Sequence, residues 1–129
     1  MSDGRVILIA EDERSIAEVV RQVVEDAGYR PLVASHGQQA LELARAERPA
    51  LLITDLMLPH LTGAELIAAL RADAAASPDG ESPMMPVILI TAVNPNQARS
   101  AGADIVLYKP FDLDRLEVLL RSFLTMSAA

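Results

Sequence analysis

The sequence predicts a single α/β domain built on a five-stranded parallel sheet with helices on both faces. Short aliphatic runs alternate with longer segments of helical period, the pattern of repeated βα units. The runs are apolar without a polar alternation, as strands buried on both faces are. The length of 129 residues suits one domain, and 51% hydrophobic with 22% charged residues is a globular balance.

The first strand is Val6-Ile7-Leu8-Ile9-Ala10. Ser15 to Ala27 follows as a helix, with Ile16, Val19, Val20, Val23 and Val24 at helical spacing and Gly28 as its stop. Tyr29 to Ser35 reads as a second strand. Gln38 to Glu47 reads as a helix carrying Leu41, Leu43 and Ala44, closed by Arg48-Pro49. Leu51 to Asp55 is the third strand, and a helix from about Thr62 to Ala75 presents Leu66, Ile67 and Leu70. Residues 77–83 hold two prolines and a glycine and read as loop. Pro86 opens the fourth strand, Val87 to Thr91. A turn at Asn94-Pro95-Asn96 leaves room for only a short helix from Gln97 to Ala101 before Gly102. The fifth strand runs from about Asp104 to Tyr108. Asp112 is the expected N-cap of a last helix with Leu113, Leu116, Leu119, Leu120, Phe123 and Leu124 on its apolar face.

Composition removes several function classes. A net charge of −7 argues against a broad phosphate-backbone surface, so direct nucleic-acid binding is not expected. The absence of cysteine excludes a disulfide framework, a thiolate metal site and a cysteine nucleophile, and fits a cytoplasmic protein. The apolar runs fall far short of the ~20 residues needed to span a bilayer, so no membrane association is expected. The first residues show no export signal. With two Phe, two Tyr and no Trp, the core must be aliphatic.

In an open parallel sheet, ligands bind outside the carboxyl ends of the strands, where the strand order reverses. Strand one ends in Glu11-Asp12, strand three in Asp55 and strand four in Thr91, and strand five runs into Lys109. Strand two ends in Ser35-His36 and offers nothing comparable. Carboxylates crowded at one edge repel one another, and either share protons or recruit a hard cation with oxygen ligands, for which Mg²⁺ is the natural choice. Such an ion leaves one aspartate free as a nucleophile, and Asp55 is the central candidate. Lys109 supplies a point charge and Thr91 a hydroxyl for incoming phosphoryl oxygens. Taken singly, Glu11 or Asp12 is more often a helix cap, Thr91 strand punctuation and Lys109 a solvated lysine. Their convergence on four strand ends favours acyl-phosphate chemistry.

Ile9-Ala10-Glu11-Asp12-Glu13, Thr54-Asp55-Leu56-Met57-Leu58-Pro59, Gly63, Ile90-Thr91-Ala92, Gly102-Ala103-Asp104 and Lys109-Pro110-Phe111 resemble, in order, the motifs of response regulator receiver domains. The resemblance covers nearly the whole chain. It implies a flavodoxin-like (βα)5 sandwich with strand order 2-1-3-4-5, and one receiver domain over residues 1–129, its core about 4–126, without an output domain in this chain. It implies that Asp55 accepts a phosphoryl group from a sensor histidine kinase or histidine phosphotransfer protein. The cation, Mg²⁺ or Mn²⁺, would be held by Asp12, Asp55, the Met57 carbonyl and, through water, Glu11. The amides of Met57 and Ala92 resemble phosphoryl contacts, Thr91 and Lys109 the hydroxyl and ammonium that grip the group, and Lys109-Pro110 a cis peptide. Pro59 and Gly63 shape the intervening loop. The implied protein is a signalling module rather than a turnover enzyme, with an unnamed downstream protein partner and room for a homodimer.

Three features depart from the family. Val106 stands where an aromatic residue is usual, and Tyr108 shares its strand parity at a different height. The interval from Thr91 to Lys109 is a few residues short, which implies a truncated helix there. The loop around Pro78 to Met85 is longer than usual. Met57 and Val93 are apolar where faster self-hydrolysing receivers hold acid or amide groups, which implies a long-lived phosphoryl group. A degenerate receiver acting as a phosphorylation-independent interaction module is the alternative, against which the complete acidic pocket argues. A phosphohydrolase of the haloacid-dehalogenase type would carry its nucleophile after the first strand, with a second Asp two residues on. Here the candidate follows the third strand and position 57 is Met. Flavin binding lacks its phosphate-cradling loop after the first strand.

Overall fold

The computed structural model describes residues 4–76, 85–92, 96, 98 and 101–127. Within them, β1 (Val6–Ala10), β2 (Arg30–Ala34), β3 (Leu51–Asp55), β4 (Val87–Thr91) and β5 (Ile105–Tyr108) form one parallel sheet in the order β2-β1-β3-β4-β5. The helices are α1 (Arg14–Asp26), α2 (Gly37–Glu47), α3 (Gly63–Ala75) and α4 (Leu113–Ser127). The topology is the one expected from the sequence.

Alternation of side chains along each strand divides the core in two. Leu8, Ala10, Leu52, Val87 and Leu89 face α2 and α3, where Leu41, Leu66 and Ile67 meet them. Ile7, Ile9, Leu51, Ile53, Ile88, Ile90 and Leu107 face α1 and α4. Leu116, Leu120 and Leu124 of α4 lie one turn apart and are completely buried, each contributing about 1.5–3 kcal/mol of apolar burial. The core is aliphatic, as composition requires. Val19 departs from its expected place, because the buried stripe of α1 runs through Ala17, Val20, Val23 and Val24 and turns Val19 outward.

Element ends differ from expectation where hydrogen bonds claim the terminal residues. Strand β2 is shorter at both ends. The Tyr29 amide donates to Val24 O to finish α1, and the Ser35 amide donates to Gln39 Oε1 at the start of α2. Gly28 follows α1 at φ 94°, a conformation open to glycine. Helix α2 begins one residue early, at Gly37, behind His36, whose Nδ1 accepts from the Gln39 amide at 3.1 Å. Thr62 precedes α3 as its N-cap in a reciprocal capping box with Glu65, and Asp112 Oδ1 caps α4 through the Asp114 amide. Asp104 lies just before β5, where its Oδ2 accepts the Val87 amide at 2.7 Å. Arg71 of α3 reaches the same edge and donates to Met85 O, Gly102 O and Asp104 Oδ2. Asn96, expected in a turn, and Ala98 have helical backbone. The expected 77–83 loop and the rest of the short-helix segment lie outside the described residues.

Candidate functional site

The switch between β1 and β3 brings the acidic residues together at the carboxyl edge of the sheet. Asp55 is the last residue of β3 and is buried, and Glu11 follows β1 with 5% of its surface exposed. The Glu11 amide continues the ladder by donating to Ala34 O at 3.0 Å, which fixes where its side chain emerges. Asp12, next to it, is exposed. One carboxylate oxygen from each of Glu11, Asp12 and Asp55 lies within 4.8 Å of the others. All three donors are oxygen, the set preferred by a hard cation such as Mg²⁺.

Lys109 stands over this cluster. Its amide donates to Thr91 O at 2.9 Å just past the end of β5. Its ammonium donates to Asp55 Oδ2 at 2.8 Å and Glu11 Oε1 at 3.1 Å, and lies 4.0 Å from Glu13 Oε2. Lys109-Pro110 is cis, as the resemblance implied. Burial drives the Glu11 carboxyl up to about 7; the charge of Asp55 adds to the rise, while the Glu13 amide and Lys109 hold it down. Burial pushes the Lys109 ammonium down, but its hydrogen bonds to Asp55 and Glu11 outweigh that and raise it above the usual lysine range. Three carboxylates converge on one ammonium, an arrangement with room for the charge of a further cation.

The loop after β3 is folded onto Asp55. The Met57 amide donates to Asp55 Oδ1 at 3.1 Å, and Thr54 Oγ1 donates to Asp55 O at 2.9 Å. The Gly63 amide donates to Leu56 O, and a Cβ on Gly63 would lie 2.2 Å from Asp55 O, so only glycine fits. Pro59 O accepts from Gly37 and Leu61, clasping this loop to the one after β2. Thr91 is completely buried at the end of β4, Ala92 beside it is exposed, and Met57 is 62% exposed at the mouth of the site. Val93 lies outside the described residues.

The structure therefore brings Glu11, Asp12, Asp55 and Lys109 together, with the Met57 amide on the same carboxylate. Val106 is half-buried in register with Leu89, and Tyr108, in register with Thr91, is 42% exposed at the rim. Sequence reasoning missed one arrangement at this edge. His36 and His60, from the loops after β2 and β3, meet with ring centres 4.8 Å apart.

The chain belongs to the response regulator receiver domain family, whose model matches residues 7–121. It is 31% identical over 129 residues to the probable transcriptional regulatory protein TcrX of Mycobacterium tuberculosis, covering 95% of this chain and 52% of that protein. It is 35% identical over 121 residues to the transcriptional regulatory protein CrdR of Helicobacter pylori, covering 91% and 54%. The chain thus spans about half the length of the curated relatives it matches. Among solved structures it is similar to the receiver domain of the Francisella response regulator 1452, with a TM-score of 0.81 at 26% identity over 96% of this chain and 99% of that one. The receiver domain of the sensor histidine kinase PA1611 of Pseudomonas aeruginosa, solved with a magnesium ion in its active-site cleft, matches with a TM-score of 0.79 at 27% identity over 93% and 97%. The chain is accordingly a flavodoxin-like receiver domain of two-component signalling. No helix among the described residues is long and apolar enough to cross a membrane.

Proposed function

We propose that Asp55 accepts a phosphoryl group from a histidine kinase or histidine phosphotransfer protein in a divalent-cation-dependent reaction, and that the phosphorylated domain changes its binding to a downstream protein. The arrangement that supports this reading is the Lys109 ammonium shared by Asp55 and Glu11, above three carboxylates and beside the Met57 amide.

An Asp55 carboxylate oxygen attacks phosphorus, the P–N bond of the phosphohistidine donor breaks, and the imidazole leaves with the bonding pair and takes up a proton. Lys109 and the Met57 amide, already on the two Asp55 oxygens, pass to the phosphoryl oxygens, with the Thr91 hydroxyl and the Ala92 amide as further donors. A bound Mg²⁺ or Mn²⁺ would be held by Asp12, Asp55 and the Met57 carbonyl, with Glu11 through water, and would neutralise phosphoryl charge. Residues 1–129 act as one receiver domain, with its core over about 4–126. It catalyses only its own phosphorylation and dephosphorylation, in the cytoplasm, without direct contact with nucleic acid or membrane. Homodimerisation is one form the change in binding can take.

Incubation with Mg²⁺ and acetyl phosphate, followed by intact mass measurement, tests the reading. A single phosphoryl adduct that disappears in Asp55→Asn is expected. No adduct in the unmodified protein, or an adduct that persists in Asp55→Asn, overturns it.

A further inference from the structure

The chain contains two histidines, 24 positions apart, and the fold sets them against each other. His36 lies two residues past the end of β2, at the start of α2, and His60 lies in the loop after β3. The contact is enforced by the backbone, because the Gly37 amide donates to Pro59 O at 3.1 Å and a Cβ on Gly37 would lie 1.8 Å from Leu61 O. The rings meet edge to face at 69°.

Neither imidazole is the simplest answer to its local geometry. His36 serves as the N-cap of α2, a role that Asn, Asp or Ser fills at least as well. His60 adopts φ 71°, a conformation glycine takes without steric strain. Among the described residues neither ring is paired with a carboxylate. The half-buried His36 and exposed His60 thus offer two nitrogen donors on an acidic protein of net charge −7.

We infer that His36 and His60 form a two-histidine site for a borderline-soft divalent transition ion of the Zn²⁺ or Cu²⁺ class, with a residue set distinct from the oxygen-only acidic cluster. Two imidazoles bound through nitrogen at about 2.0–2.1 Å to one tetrahedral ion have ring centres roughly 5 Å apart, so the observed 4.8 Å separation admits a shared ion once a ring turns about its side-chain bonds from the edge-to-face contact to aim an in-plane nitrogen at it. Water completes the coordination, since the two rings supply only two ligands.

The chemistry of His36 gives the site a readout. Its Nδ1 accepts the Gln39 N–H, so the ring proton resides on Nε2. Coordination through Nε2 displaces that proton, and the neutral imidazole then carries one on Nδ1, where it opposes the Gln39 N–H. Ion binding and the α2 cap therefore exclude each other, and occupancy of the site is reported at the first turn of α2. Losing the cap weakens binding by roughly fivefold relative to an uncapped ring.

The test is a Zn²⁺ titration of the protein in excess Mg²⁺, followed by calorimetry and by amide and imidazole NMR. The variants are His36→Asn, which keeps a cap acceptor, and His60→Asn, which tolerates positive φ. One ion per chain is expected, with both imidazoles and the Gln39 amide shifting together and affinity falling roughly tenfold or more in either variant. Unchanged affinity in His60→Asn, a response confined to the Met57 loop, or an unmoved Gln39 amide overturns the inference. None of these outcomes depends on phosphorylation of Asp55.

Discussion

The Lys109 ammonium lies 2.8 Å from Asp55 Oδ2 and 3.1 Å from Glu11 Oε1, so one cation neutralises two buried carboxylates at once. Replacing it by methionine keeps the stem packing but leaves those carboxylates facing each other. On the proposed function, Lys109→Met lowers the rate of phosphorylation by acetyl phosphate by about 10²–10³-fold, the usual effect of removing one preorganised donor to developing charge. Stopped-flow or intact-mass kinetics at fixed Mg²⁺ checks this. A rate within a factor of two of the unmodified protein would remove Lys109 from the chemistry.

Glu11 makes stability depend on pH in the opposite direction from most carboxylates. Its carboxyl is raised from an ordinary 4.5 to about 7, chiefly by burial. Between those values the folded protein binds more protons at this group than the unfolded chain, so this contribution to stability falls as pH rises from about 4.5 to about 7 and is level above. Urea denaturation with EDTA present should show that decline, and Glu11→Gln should flatten it. Added Mg²⁺ should stabilise more at pH 7.5 than at pH 5, because the ion favours the ionised carboxylate. A Glu11 contribution that rises with pH over this window would contradict the burial argument.

Gly63 permits the backbone of α3 to approach the phosphoacceptor strand. A methyl group there would lie 2.2 Å from Asp55 O and 2.8 Å from Leu56 Cα, both backbone atoms that cannot swing aside. Gly63→Ala is therefore expected to lose about 3 kcal/mol of stability by chemical denaturation, at the upper end for overpacking. At Gly4, where nothing lies within 4 Å but φ is +77°, only the smaller backbone penalty for alanine is expected. Equal losses at the two positions would show that crowding at Asp55 O is not the cause.

The legibility of the sequence varied with how local each feature is. Strands β1, β3 and β4 declare themselves because both faces are buried and the apolar run is unbroken, and topology then carries Glu11, Asp12, Asp55 and Lys109 to one edge. Edge strand β2 is blurred because Tyr29 and Ser35 spend their amides on the adjoining helices. Contacts between loops were not legible at all. The His36–His60 pair depends on Pro59 O meeting the Gly37 amide, and the Arg71 links on α3 lying beside β4 and β5. Neither leaves a periodic trace in the chain.

Met57 bears on how long the phosphoryl group survives. Its amide holds Asp55 Oδ1 while its side chain is 62% exposed at the mouth of the site. A thioether is only a weak hydrogen-bond acceptor and cannot align a water for attack on phosphorus, whereas an amide side chain can both donate and accept. Since the backbone contact survives substitution, Met57→Asn changes this side-chain function alone. With Asp55 as phosphoacceptor, a half-life of minutes or longer is expected for the unmodified domain, shortened severalfold in Met57→Asn, with little change in the rate of phosphorylation. Loss of the adduct followed by mass after removal of acetyl phosphate measures both. A half-life of seconds in the unmodified domain would mean that water is oriented by some group other than the side chain at position 57.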